Sequence, residues 1–151
     1  MPTIETAIKQ TKFDNDLVKV NVNILFTANW IYNRVSAQLK PFQITHEQFN
    51  VLRILRGQHP NCLCQKEILE RMIAPNSNLT LILKKLITKK LIQLAQSTED
   101  KRAYRITITE AGLALLERID EAFKIETEQF NKLTPSEAFH LNALLDKLRA
   151  D

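Results

Sequence analysis

Residues 75–109 read P-N-S-N-L-T-L-I-L-K-K-L-I-T-K-K-L-I-Q-L-A-Q-S-T-E-D-K-R-A-Y-R-I-T-I-T and hold a helix and two strands in immediate succession. In the first half Leu79, Ile82, Leu83, Leu86 and Ile87 fall at i, i+3, i+4, i+7 and i+8. That spacing lays apolar side chains along one stripe of an α-helix. Asn76 is the expected cap, because a short side-chain oxygen can accept from the free N–H groups of a first turn. A turn of about 100° per residue carries Ser77, Leu81, Lys84 and Thr88 to the opposite pole, with Thr80 and Lys85 beside them. This outward face has hydroxyls and two ammonium groups but no carboxylate.

After the helix the period changes to two. Ile92 and Leu94 alternate with Gln93 and Ala95, and Tyr104, Ile106 and Ile108 alternate with Arg105, Thr107 and Thr109. The residues between them are polar, with Asp100, Lys101 and Arg102 at the tip. A helix followed directly by a hairpin with a basic tip is the winged helix-turn-helix arrangement. Such a helix fits the DNA major groove, and the hairpin tip can reach phosphates or the minor groove beside it. The expected fold is therefore mainly α with a small β-hairpin. A winged helix-turn-helix lobe spans residues 45–109, between an N-terminal dimerisation helix (1–44) and C-terminal dimerisation helices (110–151).

The run D-x-R-A at Asp100–Ala103, an alternating strand, and T-x-x-G at Thr109–Gly112 resemble the wing signature of the MarR family of bacterial transcription regulators. The preceding S-N-L-T…L…L…K-x-L-I is similar to that family's recognition helix, and the resemblance extends more weakly over about residues 15–148. It implies a homodimer that binds a near-palindromic operator and is often released by a small ligand or oxidant. The family usually has an arginine after the recognition-helix threonine, where this chain has Leu81, and a glycine at the helix end, where it has Lys90.

Composition agrees with this class. The chain has 151 residues, 44% of them hydrophobic and 25% charged, and only two glycines, as in a helix-rich globular protein. No run of eighteen apolar residues occurs, so no membrane partner is expected. The polar N-terminus lacks the apolar core of a signal peptide, which points to the cytoplasm, where Cys62 and Cys64 should be reduced. The formal charge is +4 and unevenly placed: +3 over residues 1–75, +5 over 76–105 and −4 over 106–151. An excess gathered on the helix and hairpin is the footprint of a polyanion partner, here double-stranded DNA.

Elsewhere the start and stop signals divide the chain. Residues 14–40 form one long helix, opened by Asp14–Asp16 and closed by Pro41. Its seam (Leu17, Ile24, Ala28, Ile31, Val35, Leu39) is flanked by Val18, Val20, Val22, Phe26, Trp30 and Tyr32. So wide an apolar surface calls for contacts with its own lobe and with a second subunit. Thr45 and Gln48 form a capping box for a helix with Phe49, Leu52, Ile54 and Leu55 inward, ended by Gly57 and Pro60. Gln65–Met72 is the first helix of the helix-turn-helix, with Ile68, Leu69 and Met72 inward. The stripe of the next helix ends at Ile87 and a strand begins by Leu91, so Lys90 either takes a left-handed conformation, at about 1 kcal/mol, or extends the helix. Thr109 caps a helix to about Asn131, with Leu113, Leu116, Phe123 and Phe130 as its apolar points. T-P-S-E at 134–137 opens the last helix, whose apolar side is Phe139, Leu141, Leu144, Leu145 and Leu148.

The candidate DNA-binding residues are Asn76, Ser77, Asn78, Thr80, Leu81, Lys84, Lys85, Lys66, Lys101, Arg102 and Arg105. Asn78 suits an adenine edge, the hydroxyls a base or a phosphate, and Leu81 a thymine methyl or the neighbouring turn. The lysines neutralise backbone charge. Arg102 suits a narrow minor groove, with Asp100 positioning it or the loop. Cys62 and Cys64, with His59 nearby, make a thiol- or metal-sensing variant, but they are too few for a zinc site and ordinary packing is the plainer reading. Phe26, Trp30, Phe42, His46 and Phe49 are the candidate pocket for a small-molecule effector, aromatic or other. No cofactor is expected, and no enzyme: the three histidines are scattered and there is no glycine-rich phosphate loop. A winged-helix module for protein association, and a DNA-binding protein without a switch, are the competing readings.

Overall fold

The computed structural model describes residues 2–75, 78–96 and 104–150. Contacts group the chain into two compact units, Met1–Ile119 and Asp120–Asp151. The first unit holds together because Leu39, Leu52, Leu55, Ile68, Leu86, Ile106, Leu116 and Ile119, drawn from six elements, are all fully buried.

The elements run α1 (Ile4–Ile8), α2 (Asp16–Leu39), a 3-10 turn (Lys40–Phe42), α3 (His46–Gln58), α4 (Gln65–Arg71), α5 (Leu79–Thr88), β1 (Ile92–Gln96), β2 (Tyr104–Ile108), α6 (Glu110–Phe130) and α7 (Pro135–Leu148). This is the expected helix-turn-helix and hairpin with helices before and after. α1 is an addition: Thr3 caps it, Ile4 is buried, and Glu5 is ion-paired to Lys19 of α2. At five residues it is too short to show a helical period.

The capping signals are realised. The Thr45 hydroxyl accepts from Gln48 N while the Gln48 amide oxygen accepts from Thr45 N, both at 3.2 Å, and Thr134 with Glu137 repeats the arrangement. α3 does not stop at Gly57. It runs to Gln58, because the constraint comes from Pro60, which drives His59 into an extended conformation (ψ 134°). Within α3 Val51 is fully buried along with Leu52 and Leu55, whereas Ile54 is only half-buried. In α2 only Leu39 is buried; Leu17 and Ile31 of the expected seam are exposed.

α5 starts at Leu79, later than an Asn76 cap implies. Asn78 has non-helical dihedrals (φ −90°, ψ 19°) and is the boundary residue. Asn76 and Ser77 themselves lie outside the described residues. At the other end Lys90 is left-handed (φ 59°), and Lys90 N–H bonds Ile87 O while Leu91 N–H bonds Leu86 O. That paired closure places Lys90 where glycine is the usual residue.

β1 and β2 pair antiparallel, Ile92 opposite Ile108 and Gln96 opposite Tyr104. Burial is confined to the half nearest α6: Ile92, Ile106 and Ile108 are buried, whereas Leu94 and Tyr104 are exposed. A third strand position, unforeseen, is Leu63, which exchanges backbone hydrogen bonds of 2.9 and 2.8 Å with Ile106.

Candidate nucleic-acid interface

α5 divides cleanly by face. Leu79, Ile82, Leu83 and Leu86 are buried, and Thr80, Leu81, Lys84 and Lys85 are exposed. Thr80 with Lys84 and Leu81 with Lys85 are i,i+4 pairs, so the four form two adjacent rows on the outer surface. Leu81 is 51% exposed, which removes packing against a neighbouring turn as a full account of it. Asn78 is also exposed, at the base of the helix.

α4 approaches this face from the side. Lys66, Thr80 and Lys84 border one hollow of about 520 Å³, which is floored by Leu83 and Ile106 and walled by Tyr104. The exposed Lys66 lies 4.0 Å from Glu70, a solvent-screened pair of little energetic weight. Two residues that sequence reasoning did not single out belong to this site. Gln65 Nε2 donates to Thr80 Oγ1 at 2.9 Å, joining the first turn of α4 to α5, and the exposed Tyr104 ring borders the hollow on the hairpin side. Neither could be found from spacing, because each acts across elements distant in sequence.

Arg105 is placed differently from the other cations. Its Nη1 lies 3.3 Å from Glu67 Oε2, so the guanidinium links β2 to α4. Glu67 is a junction: it accepts from Cys64 N at 2.7 Å, capping α4. That backbone hydrogen bond, then the Cys64 thiol, then the Arg105 and Arg71 charges hold its carboxyl below the usual carboxylate range against a small opposing desolvation. Arg105 thus ties β2 to α4 as well as adding charge. Lys101, Arg102 and Asp100, the expected hairpin-tip residues, lie outside the described residues.

The far end of α5 is tied down. Lys89 Nζ donates to the Gln43 carbonyl and lies 3.4 Å from Oε1 of the buried Gln48, fastening the helix to the start of α3. A second hollow, of about 390 Å³, lies at that same start, lined by Tyr32, Ser36, Lys40, Gln43 and His46 among others. Of the five residues expected to line an effector pocket, only His46 borders it. Its ring stacks on Tyr32 at 4.2 Å, and the Glu47 carboxylate raises the Tyr32 phenol above its ordinary value. Phe49 is in the core and Phe42 lies under the Arg118 guanidinium. Phe26 and Trp30 are exposed on α2. Cys62 is exposed and Cys64 half-buried. Among the described residues no group of three metal-ligating side chains gathers, and no helix is long and apolar enough to cross a membrane.

A model of the MarR family matches residues 44–104, from the end of the 3-10 turn into β2. The mutant MarR of Escherichia coli complexed with operator DNA superposes with a TM-score of 0.78 at 23% identity, covering 93% of this chain and 100% of that one. The winged lobe of this chain matches the MarR family, and the fold around it is MarR-like. Other likenesses extend beyond the winged lobe. The Staphylococcus aureus MepR–DNA complex aligns with a TM-score of 0.74 at 23% identity, over 91% of this chain and 97% of that one. The HTH-type transcriptional regulator YpoP of Bacillus subtilis is 28% identical over 142 residues, 87% of this chain and 97% of that protein. Within this MarR-like fold, α4 and α5 are the helix-turn-helix, and β1 and β2 form the wing.

Proposed function

We propose that this chain is a DNA-binding transcription regulator of the cytoplasm, a homodimer that represses by occupying a palindromic operator. The observation that carries this reading is the outer face of α5, where Thr80, Leu81, Lys84 and Lys85 stand exposed without a carboxylate among them. A helix so equipped supplies both kinds of contact a duplex needs, charge for phosphates and short polar or methyl-sized groups for base edges. Asn78 and Lys66 extend the same surface, Arg105 braces it through Glu67, and the wing cations Lys101 and Arg102 are assigned the phosphate and minor-groove contacts beside it.

Dimerisation is supported by apolar area left uncovered in a single chain. Leu17 and Leu25 of α2 are 76% and 72% exposed, and Phe139 and Leu144 of α7 are 71% and 63% exposed. Pairing two such chains removes this surface from water and presents two copies of α5 to successive major grooves, one helical turn apart. A small-molecule effector fits this scheme if it favours one spacing of the two lobes, since only differential affinity can shift occupancy. The hollow beside Tyr32 and His46 is the place for it, because Gln43 both borders that space and holds Lys89 at the end of α5.

Selection of bound duplexes from a random pool tests the proposal. Enrichment of a palindrome with half-sites about 10 base pairs apart, with affinity falling steeply as salt rises, is the expected result. Retention of no duplex, or equal retention of all sequences, would refute operator recognition.

A further inference from the structure

We propose that Gln65 and Thr80 form a single recognition unit, in which the Gln65 amide sets the Thr80 hydroxyl as a donor toward an acceptor atom on the duplex. This rests on the DNA-binding reading above and adds the polarity of one contact to it.

The hydrogen bond from Gln65 Nε2 to Thr80 Oγ1, 2.9 Å, spans fifteen residues of sequence and joins the two helices of the helix-turn-helix at the surface. A hydroxyl has one proton and two lone pairs, and an amide nitrogen can only donate. With one lone pair engaged by the amide, the proton is directed elsewhere. In the body of a helix that proton commonly returns to the carbonyl four residues back, as the Thr88 hydroxyl does to Lys84 O at 3.0 Å. Thr80 is the second residue of α5, and among the described residues no carbonyl takes its hydroxyl proton. Its proton therefore serves an outside acceptor, and the incoming amide bond polarises the hydroxyl to make it the better donor.

Lys66 and Lys84 border the same hollow and would draw the duplex to this point. The acceptors a duplex offers there are a phosphate oxygen or a major-groove base atom such as guanine O6, guanine N7 or thymine O4. The cytosine amino group, a donor, is disfavoured.

Binding of the full-length protein to duplexes enriched from the random pool, followed by fluorescence anisotropy at fixed salt, provides the test. Gln65→Glu turns the neighbour into an acceptor, which captures the Thr80 proton and presents lone pairs to DNA. It also adds a negative charge, and measuring it in both the native and the Thr80→Val backgrounds separates the two effects. The expected result is a loss from Gln65→Glu that is about five- to tenfold larger in the native background, about a tenfold loss for Thr80→Val alone, and Thr80→Ser within about twofold of wild type. Loss confined to duplexes with an acceptor at one position identifies a base edge, and equal loss on every duplex identifies a phosphate. Either outcome supports the donor assignment. Equal losses from Gln65→Glu in the two backgrounds, or wild-type binding by Thr80→Val, would overturn it while leaving operator binding intact. A wild-type protein that binds no duplex would overturn both. Both side chains are exposed, and thermal melting checks that each variant is folded.

Discussion

Lys90→Gly should make this protein more stable, against the usual direction of substitutions. Lys90 sits at φ 59° with its side chain exposed, so the exchange gives up no buried contact. A left-handed conformation costs a residue with a Cβ about 1–2 kcal/mol. Glycine in turn frees the unfolded chain, which opposes the gain by about 0.4–1 kcal/mol. The net is a stabilisation of about 0.5–1 kcal/mol, equivalent to about 1–4 °C in a domain of this size. The paired bonds of Lys90 N to Ile87 O and Leu91 N to Leu86 O need no lysine side chain and should persist. Thermal unfolding followed by circular dichroism reads the effect, at matched protein concentration because assembly makes the midpoint concentration-dependent. Lys90→Ala is the control, since it removes the charge but keeps the Cβ. A melting temperature that is unchanged or lower in Lys90→Gly, or raised equally in Lys90→Ala, would refute the strain argument.

Gly112→Ala should destabilise by about 2–3 kcal/mol, because its Cβ would stand 2.4 Å from Leu91 O and 2.6 Å from Ile108 Cγ1, and the first of these is backbone that cannot swing aside; chemical denaturation checks it. Glu67→Gln tests the junction behind the wing. The Glu67 carboxyl titrates below its unfolded value, so its contribution is complete above the ordinary carboxylate range and disappears as pH falls through the folded value. The stability gap between wild type and variant should therefore be widest near neutrality and close on acidification, and a gap constant with pH contradicts this. Phe139→Asp combined with Leu144→Asp should convert the dimer to monomer in sedimentation experiments and weaken operator binding; an unchanged mass would remove α7 from the interface. Arg102→Ala should weaken binding and reduce the salt slope by about one ion, and an identical slope would dismiss a phosphate or minor-groove role.

What could be read from the chain was what depends on near neighbours. The apolar stripe of α5, the capping boxes at Thr45 and Thr134, and the period-two strands are all set within a few residues, and each appears as expected. The T-x-x-G pattern also has a physical account: Thr109 Oγ1 accepts from Gly112 N at 3.1 Å, and Gly112 lies where Leu91 O leaves no room for a side chain. The partners at the candidate interface were illegible, because Gln65 with Thr80, Arg105 with Glu67, and Lys89 with Gln43 meet only after the helices have packed. The aromatic residues are a related case. Helical spacing places Phe26, Trp30, Phe42, His46 and Phe49 on faces but cannot say which faces meet, and these five disperse among core, surface and hollow.

The Thr109 hydroxyl also donates to Lys90 O at 2.8 Å, while Thr109 N bonds Leu91 O at 3.0 Å. One residue thus clasps the tail of α5, the last rung of the hairpin and the first turn of α6, and Lys89 pins that same tail to Gln43. A helix moored at its tail can tip but cannot slide. At about 1.5 Å per residue α5 is about 15 Å long, so a tilt of about 10° about this pivot swings the Thr80 end through about 2–3 Å. That arc is the length of a hydrogen bond, so a tilt of this size would part the opposite tip from an outside acceptor, and the Gln65 amide on Thr80 is the tie that opposes it.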